Sequence, residues 1–599
     1  MSRSDAAPAN AVGLTVAACL AVVPAALLAA NLPPSATFLN QAAAVSGWGV
    51  FCAVAAWRLA SAPAGVSLRW GAGLKALLAA LMLLIAACAG SWALTGLPAS
   101  LALSAIGMLS AAGLVACVGA AAMSAGQGVA AFRALCIALL IAGLLSVAVG
   151  AVQVFVPHWA DGQWIAITAL EGRAAGNLRQ PNHLSSLLLW SVVALLWLAE
   201  SVETGRLSAR PGWLAGLYAG LLALIFGLVL SASRTGMLGV LALAVWGALD
   251  RNLSRRTRLL LCLSPVIYAV CWFGLTAWAD ASGHVFGGAA RLRSEADISS
   301  SRFGIWADTL GLIAQRPWFG VGWGEFNLAW SLTPFPGRPV AFFDHTHNLM
   351  LQFVVELGVP LALVVTALLT WPLWRAWKAG GATGSELGRA SPALARFACI
   401  MVLLVAWHSL LEYPLWYAYF LLPAAFAWGL CLGAEPLTVR PTNPASATRT
   451  PARSLWFASM TLTACGALSV IDYIPVVAIF EPGEDAPPLA ERIAAGRRSV
   501  LFSHHADYAA ATTHASSAEV LRAMDGARHF LLDTRLMMAW AQALADSGDV
   551  ERARHIAARL REFHNPASRE FFATCSEDVT PVPFQCVPPT TVMDDRDFR

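Results

Sequence analysis

Long apolar runs alternate with short polar connections along almost the whole chain. Apolar stretches of bilayer-crossing length, about 17–25 residues, recur near 11–30, 41–57, 76–95, 100–123, 134–156, 183–199, 213–231, 235–249, 259–279, 347–372, 397–413, 415–433 and 454–480. The pattern predicts an all-α polytopic membrane protein of about 13 transmembrane helices. The first run lacks a convincing cleavage site and is followed at once by further spans, so it reads as a span rather than a signal peptide. Segments seven and eight are separated only by SASRTG, which leaves open whether they are two spans or one.

Two longer polar regions interrupt this pattern. In the region 281–346, Phe303, Trp306, Leu310 and Ile313 stand at helical spacing and predict a helix lying on the membrane surface. The region 481–599 is rich in Ala, Arg and Glu, and its stretch AWAQALADSGDVERARHIAARLREFHNP reads as two helices joined by DSGD, like a tetratricopeptide hairpin. The expected organisation is helices one to nine over 1–280, a loop over 281–346, helices ten to thirteen over 347–480, and a helical domain over 481–599.

Composition excludes a soluble globule. The chain is 58% hydrophobic and 12% charged, where soluble domains carry about 25% charge. A net charge of +4 without a basic run offers nucleic acid no footing. Positive charge collects in alternate short loops: Arg58, Arg69 and Lys75, then Arg133, Arg206 and Arg210, then Arg251, Arg255, Arg256 and Arg258, whereas 31–40 and 95–100 hold no Lys or Arg. The basic loops face the cytoplasm. With thirteen crossings, the loop over 281–346 and the tail over 481–599 then lie outside. Of the 12 Cys, only Cys575 and Cys586 fall in that tail, and an oxidising compartment favours a disulfide between them.

The arginines that break the basic-inside pattern are candidates for chemistry. Arg173, Arg179, Arg234, Arg302 and Arg316 all fall on the outer side, where a planar guanidinium suits bidentate binding of phosphate. Polar side chains converge at the same depth: Gln180, Asn182 and His183 at the mouth of segment six, and Asp344, His345, His347 and Asn348 at that of segment ten. His408, Ser409, Glu412 and Tyr413 close segment eleven, with His408 and Glu412 on one face and Pro414 opening the return helix. Asn348, Gln352 and Glu356 recur every fourth residue as a polar stripe. A metal site at His345 and His347 is disfavoured, because residues two apart share a face only on an extended chain. A membrane transporter is the alternative of another class, but it would set its ionisable groups near the bilayer middle.

HTHNLMLQFVVELG, with Pro360 one residue beyond Gly358 and Val359, resembles the signature of the bacterial O-antigen ligase and polymerase superfamily. RQPNHLSS, SASRTG, PWFGVGWGEF and HSLLEYPLWYAYFLLP resemble its protein-glycosylating branch, the pilin-type PglL-like O-oligosaccharyltransferases, so the likeness runs over about 165–435. The resemblance implies a GT-C-like helical fold in the bacterial inner membrane with the site facing the periplasm. It further implies a lipid-linked oligosaccharide donor on undecaprenyl pyrophosphate, an acceptor protein such as a pilin, and neither metal nor other cofactor. It matches His347, Gln180 and Tyr413 to the family's catalytic positions and Arg179, Arg234 and Arg302 to donor binding, with His183, Asn348, Glu356, His408 and Glu412 as supporting polar groups. A ligase acting on lipid A-core and a repeat-unit polymerase are the alternatives within the superfamily.

Overall fold

The computed structural model describes every residue except 1–5, 61–69, 204–210, 294–297, 336, 341, 382–389, 435–451, 514–515 and 577–579. Arg69, Arg206 and Arg210 of the orientation argument lie outside the described residues. Apart from one isolated bridge between Leu32 and Ser35, the described secondary structure is helical. Helices run in the order α1 (Ala6–Leu27), α2 (Phe38–Ala60), α3 (Ala72–Leu94), α4 (Ala99–Ser124), α5 (Gly128–Phe155), α6 (Pro181–Glu203), α7 (Pro211–Ser231), α8 (Arg234–Leu249) and α9 (Arg255–Ser282). They continue as α10 (Gly287–Arg293), α11 (Ile298–Gln315), α12 (Phe326–Leu332), α13 (Leu349–Leu357), α14 (Val359–Gly381), α15 (Ala390–Ser409), α16 (Ala418–Gly433) and α17 (Ala452–Phe480). The remainder are α18 (Leu489–Gly496), α19 (Ser503–Thr513), α20 (Ser517–Ala527), α21 (Thr534–Asp546), α22 (Val550–Glu562) and α23 (Arg569–Ala573).

Among the described residues ten helices are long and apolar enough to cross a membrane, and α8, α16 and the stretch Val12–Leu27 of α1 are shorter apolar segments. The chain is a multi-pass membrane protein. Each expected apolar run overlaps one of these helices, and the structure decides two points of detail. Segments seven and eight are separate, because Ala232 takes a left-handed conformation (φ 48°) and Ser233 caps α8 by accepting from the Gly236 amide. Segment ten is not one helix. It breaks at Gly358 (φ 78°) into α13 and α14, and a Cβ there would strike the backbone of Trp318 and Phe319. Only glycine fits that crossing.

Two compact units make up the chain. The first comprises residues 1–79, 110–296 and 368–468. Its interior is built by close backbone approach of small residues: glycines 119, 429 and 433 bring α4 and α16 together, and Gly47 sets α2 against the Leu20 carbonyl of α1. Where lipid removes the hydrophobic drive between helices, such close packing supplies the contact energy.

The second unit comprises 80–109, 297–367 and 469–599. Its core joins Phe326, Trp330 and Val355 to an Ala-rich layer from α19 to α22 and to Phe563 and Phe598. The expected hairpin is present as α21 and α22, capped by Asp533 and Asp549 and joined through Gly548. A second pair, α19 and α20, packs beside it without a sequence repeat to announce it. Cys575 and Cys586 are disulfide-bonded.

Candidate active site

Three helix starts share one local design. In each, a non-glycine residue in the left-handed region is followed by a side-chain cap and then the helix: Arg179 (φ 59°) before Gln180, Ala232 before Ser233, and His347 (φ 55°) before Asn348. A left-handed L-residue costs about 1–3 kcal/mol and persists only where its surroundings dictate it. The repeated cost falls on the same segments that the sequence marks as chemically interesting.

In the first unit the start of α6 is the hub. Pro181 opens the helix without an amide to satisfy, and the Gln180 side-chain oxygen accepts from the His183 amide at 2.9 Å. The Asn182 amide nitrogen donates to Glu412 Oε1 at 3.0 Å, while its oxygen accepts from the Ser233 hydroxyl at 2.6 Å. One turn on, the Ser186 hydroxyl meets His408 Nδ1 at 2.7 Å. Glu412 and His408 thus both bond to α6, although α15 ends at Ser409 and Glu412 stands beyond it. His183 is buried: its Nδ1 lies 3.1 Å from the Tyr419 hydroxyl and its ring packs on Tyr417 and Phe420. Tyr413, half-buried, precedes a 3-10 turn over Pro414–Trp416, so the return helix starts at Ala418 rather than at Pro414. Leaving any one buried partner of such a network unsatisfied costs about 1–3 kcal/mol.

The arginines divide sharply. Arg173 donates to the Ser231 carbonyl at 3.3 Å, and Arg179 donates to the Ala29 carbonyl while its Nε is buried without a hydrogen-bond partner. Arg234, the first residue of α8, is exposed.

In the second unit His347 stands just ahead of α13, not within it. Asn348 caps the helix by accepting from the amides of Met350 and Leu351, at 3.0 and 3.1 Å. The Thr346 amide donates to Gln352, and the Thr346 carbonyl accepts from the Trp306 indole at 2.9 Å. The edge of Phe343 lies against the His347 ring, with centroids 5.3 Å apart. His345 pairs with Asp344 at 2.9 Å. The expected polar stripe is therefore spent internally: Asn348 is the cap, and Gln352 donates to Glu356 at 2.9 Å. Glu356 also accepts from the Gly324 amide at 3.0 Å. Arg302, half-buried, lies one turn before Trp306 on α11. The expected surface stripe of α11 is exposed at Phe303 and Leu310, as are Trp318 and Phe319 beyond it.

Arg316 corrects the sequence reading. It is not open to a phosphate, because both terminal nitrogens hold the fully buried carboxylate of Asp595. Sequence reasoning also left Ser233 out of the site and Asn182 out of its core. An Asn just after a helix-opening Pro, and a Ser at a helix start, were the available signals.

Fold and site together define a polytopic all-helical membrane protein that holds a strained histidine and a buried amide–hydroxyl–carboxylate network at helix starts. Residues 219–366 match the family model for O-antigen ligase, residues 394–575 that for the C-terminal part of virulence factor membrane-bound polymerase, and residues 174–199 that for protein glycosylation ligase. The chain is 29% identical over 300 residues, 49% of each protein, to a general O-oligosaccharyltransferase of Acinetobacter baylyi. It is 26% identical over 268 residues, 44% of each, to a ComP-specific O-oligosaccharyltransferase of the same organism. It spans about half the length of the curated relatives it matches. The chain is thus similar to the O-antigen ligase superfamily and, within it, to the PglL-like O-oligosaccharyltransferase branch.

Proposed function

We propose that the protein is an O-oligosaccharyltransferase of the bacterial inner membrane. It moves a preassembled glycan from undecaprenyl pyrophosphate to a Ser or Thr hydroxyl of a periplasmic or pilin-type protein. The observation that carries the reading is His347, a histidine held in a costly backbone conformation ahead of a capped apolar helix, in a stretch that matches the O-antigen ligase family. In the proposed step the acceptor hydroxyl oxygen attacks the anomeric carbon and His347 takes its proton. The glycosyl–phosphate bond breaks, and undecaprenyl pyrophosphate departs with inversion. Arg179, Arg234 and Arg302 offset the charge of the leaving group, the work that a divalent ion does elsewhere. Gln180 acts by ordering the start of α6, and Tyr413 positions donor or acceptor. The periplasmic placement of the site and of residues 481–599 belongs to the same proposal.

The O-antigen ligase reading stays in contention because that family model covers His347. Purified protein given lipid-linked oligosaccharide together with a Ser-rich acceptor protein and with lipid A-core separates the two. Glycan on the protein is the expected result. Glycan on lipid A-core alone would replace this reading with the ligase.

A further inference from the structure

The last residues of the chain reach into the brace behind α13. Asp594 caps a 3-10 turn over Asp595–Phe598. Asp595, fully buried, grips Arg316 through both carboxylate oxygens and also accepts from Arg599 at 3.0 Å. Phe598, 3% exposed, anchors the segment against Trp540 and His555, with ring centroids 5.4 and 5.3 Å away. Arg528 donates to the Phe598 carbonyl at 2.7 Å.

Arg316 opens a glycine-rich stretch bonded along its length to the far end of α13. The Val321 amide donates to the Val355 carbonyl at 2.8 Å, and the Gly322 amide to the Glu356 carbonyl at 3.0 Å. The Val359 amide donates to the Pro317 carbonyl at 2.7 Å. Arg599 closes the relay by donating to the carbonyl of the same Val321 at 2.8 Å. Gly320 (φ 68°) makes the approach possible, since a Cβ there would lie 2.6 Å from the Glu356 backbone. Two hydrogen-bonded steps thus separate the strap from α13, whose other end is joined to His347 through the cap residue Asn348.

We propose that Asp594–Arg599 is a strap that sets the position of α13, and hence of His347, with Asp595 as the positioning residue. The proposal rests on the reading of His347 as the acceptor base. A carboxylate aligned on both prongs of a guanidinium fixes distance and orientation together, and displacement of a catalytic group by about 1 Å can cost about 100-fold in rate.

The test uses the full chain in detergent micelles with Asp595→Asn, which keeps the side-chain size and removes the charge, and Arg599→Ala as the second variant. Hydrogen exchange should accelerate on the order of tenfold over 317–324 and 349–358 in both, with 181–203 unchanged. Transfer should lose about tenfold or more in kcat while KM for the lipid-linked donor stays within about twofold. Unchanged exchange over 349–358, protection lost over 181–203 as well, or an undiminished kcat overturns the strap. A wild-type protein without transferase activity removes the proposed function, and the exchange data still decide whether the strap holds α13.

Discussion

At the scale of single residues, the left-handed helix starts separate chemistry from support. His347 lacks the cap role taken by its neighbour Asn348, and its ring meets Phe343 edge-on rather than being enclosed. His183 is buried against the rings of Tyr417, Tyr419 and Phe420 and is tied to the Tyr419 hydroxyl. His347→Ala should abolish detectable transfer, a loss of at least about 100-fold for removal of a general base, with donor binding retained. His345→Ala, which removes a partner of Asp344 rather than the proposed base, should be milder. Both are read by glycan transfer alongside donor-binding measurements, and an active His347→Ala enzyme would discard the general-base step. Arg302→Ala and Arg234→Ala should weaken donor binding with only partial rescue by Lys, because an ammonium lacks the guanidinium fork. Donor affinity that stays at the wild-type level would make these two residues interfacial anchors.

At the scale of elements, the paired helices α19 to α22 carry buried histidines whose burial has a pH consequence. Burial pushes the His505 imidazole down to about 4. It does the same to His555, only partly opposed by the hydrogen bond to the Leu332 carbonyl. Both groups are neutral in the fold and take up a proton more readily once unfolded, where the ordinary value is about 6.5. The unfolded chain therefore binds more protons between about 6.5 and about 4, so stability is complete above that window and is lost as pH falls through it. Peptides from α19 and α22 should lose exchange protection between pH 6.5 and pH 4. Equal protection of α19 and α22 at pH 7 and pH 4.5 would contradict the assignment of neutral, buried imidazoles.

At the scale of the whole molecule, the alternation of basic and uncharged loops sets an orientation that fusion reporters can read. A reporter placed after Gly483 should be active only outside the cytoplasm, and one at Gly381 only inside. Cytoplasmic activity of the first would mean that one of the three short apolar helices does not cross. The short members are short for local reasons: α8 begins only after the turn at Ala232 and Ser233, and α16 only after the 3-10 turn that Pro414 starts.

Much of this could be read along the chain, because the length of an apolar run and the nature of a capping residue act over a few neighbouring positions. The helical architecture and the hairpin of α21 and α22 are both of that kind. The break at Gly358 is not, since it answers to the backbone of Trp318 and Phe319 packed across it. The Asn182–Glu412 bond spans 230 residues and the Arg316–Asp595 pair 279. No local pattern marks either partner for the other. A guanidinium at an outer helix end looks the same in sequence whether it awaits a phosphate or already holds a carboxylate, and only the folded chain brings Asp595 to Arg316.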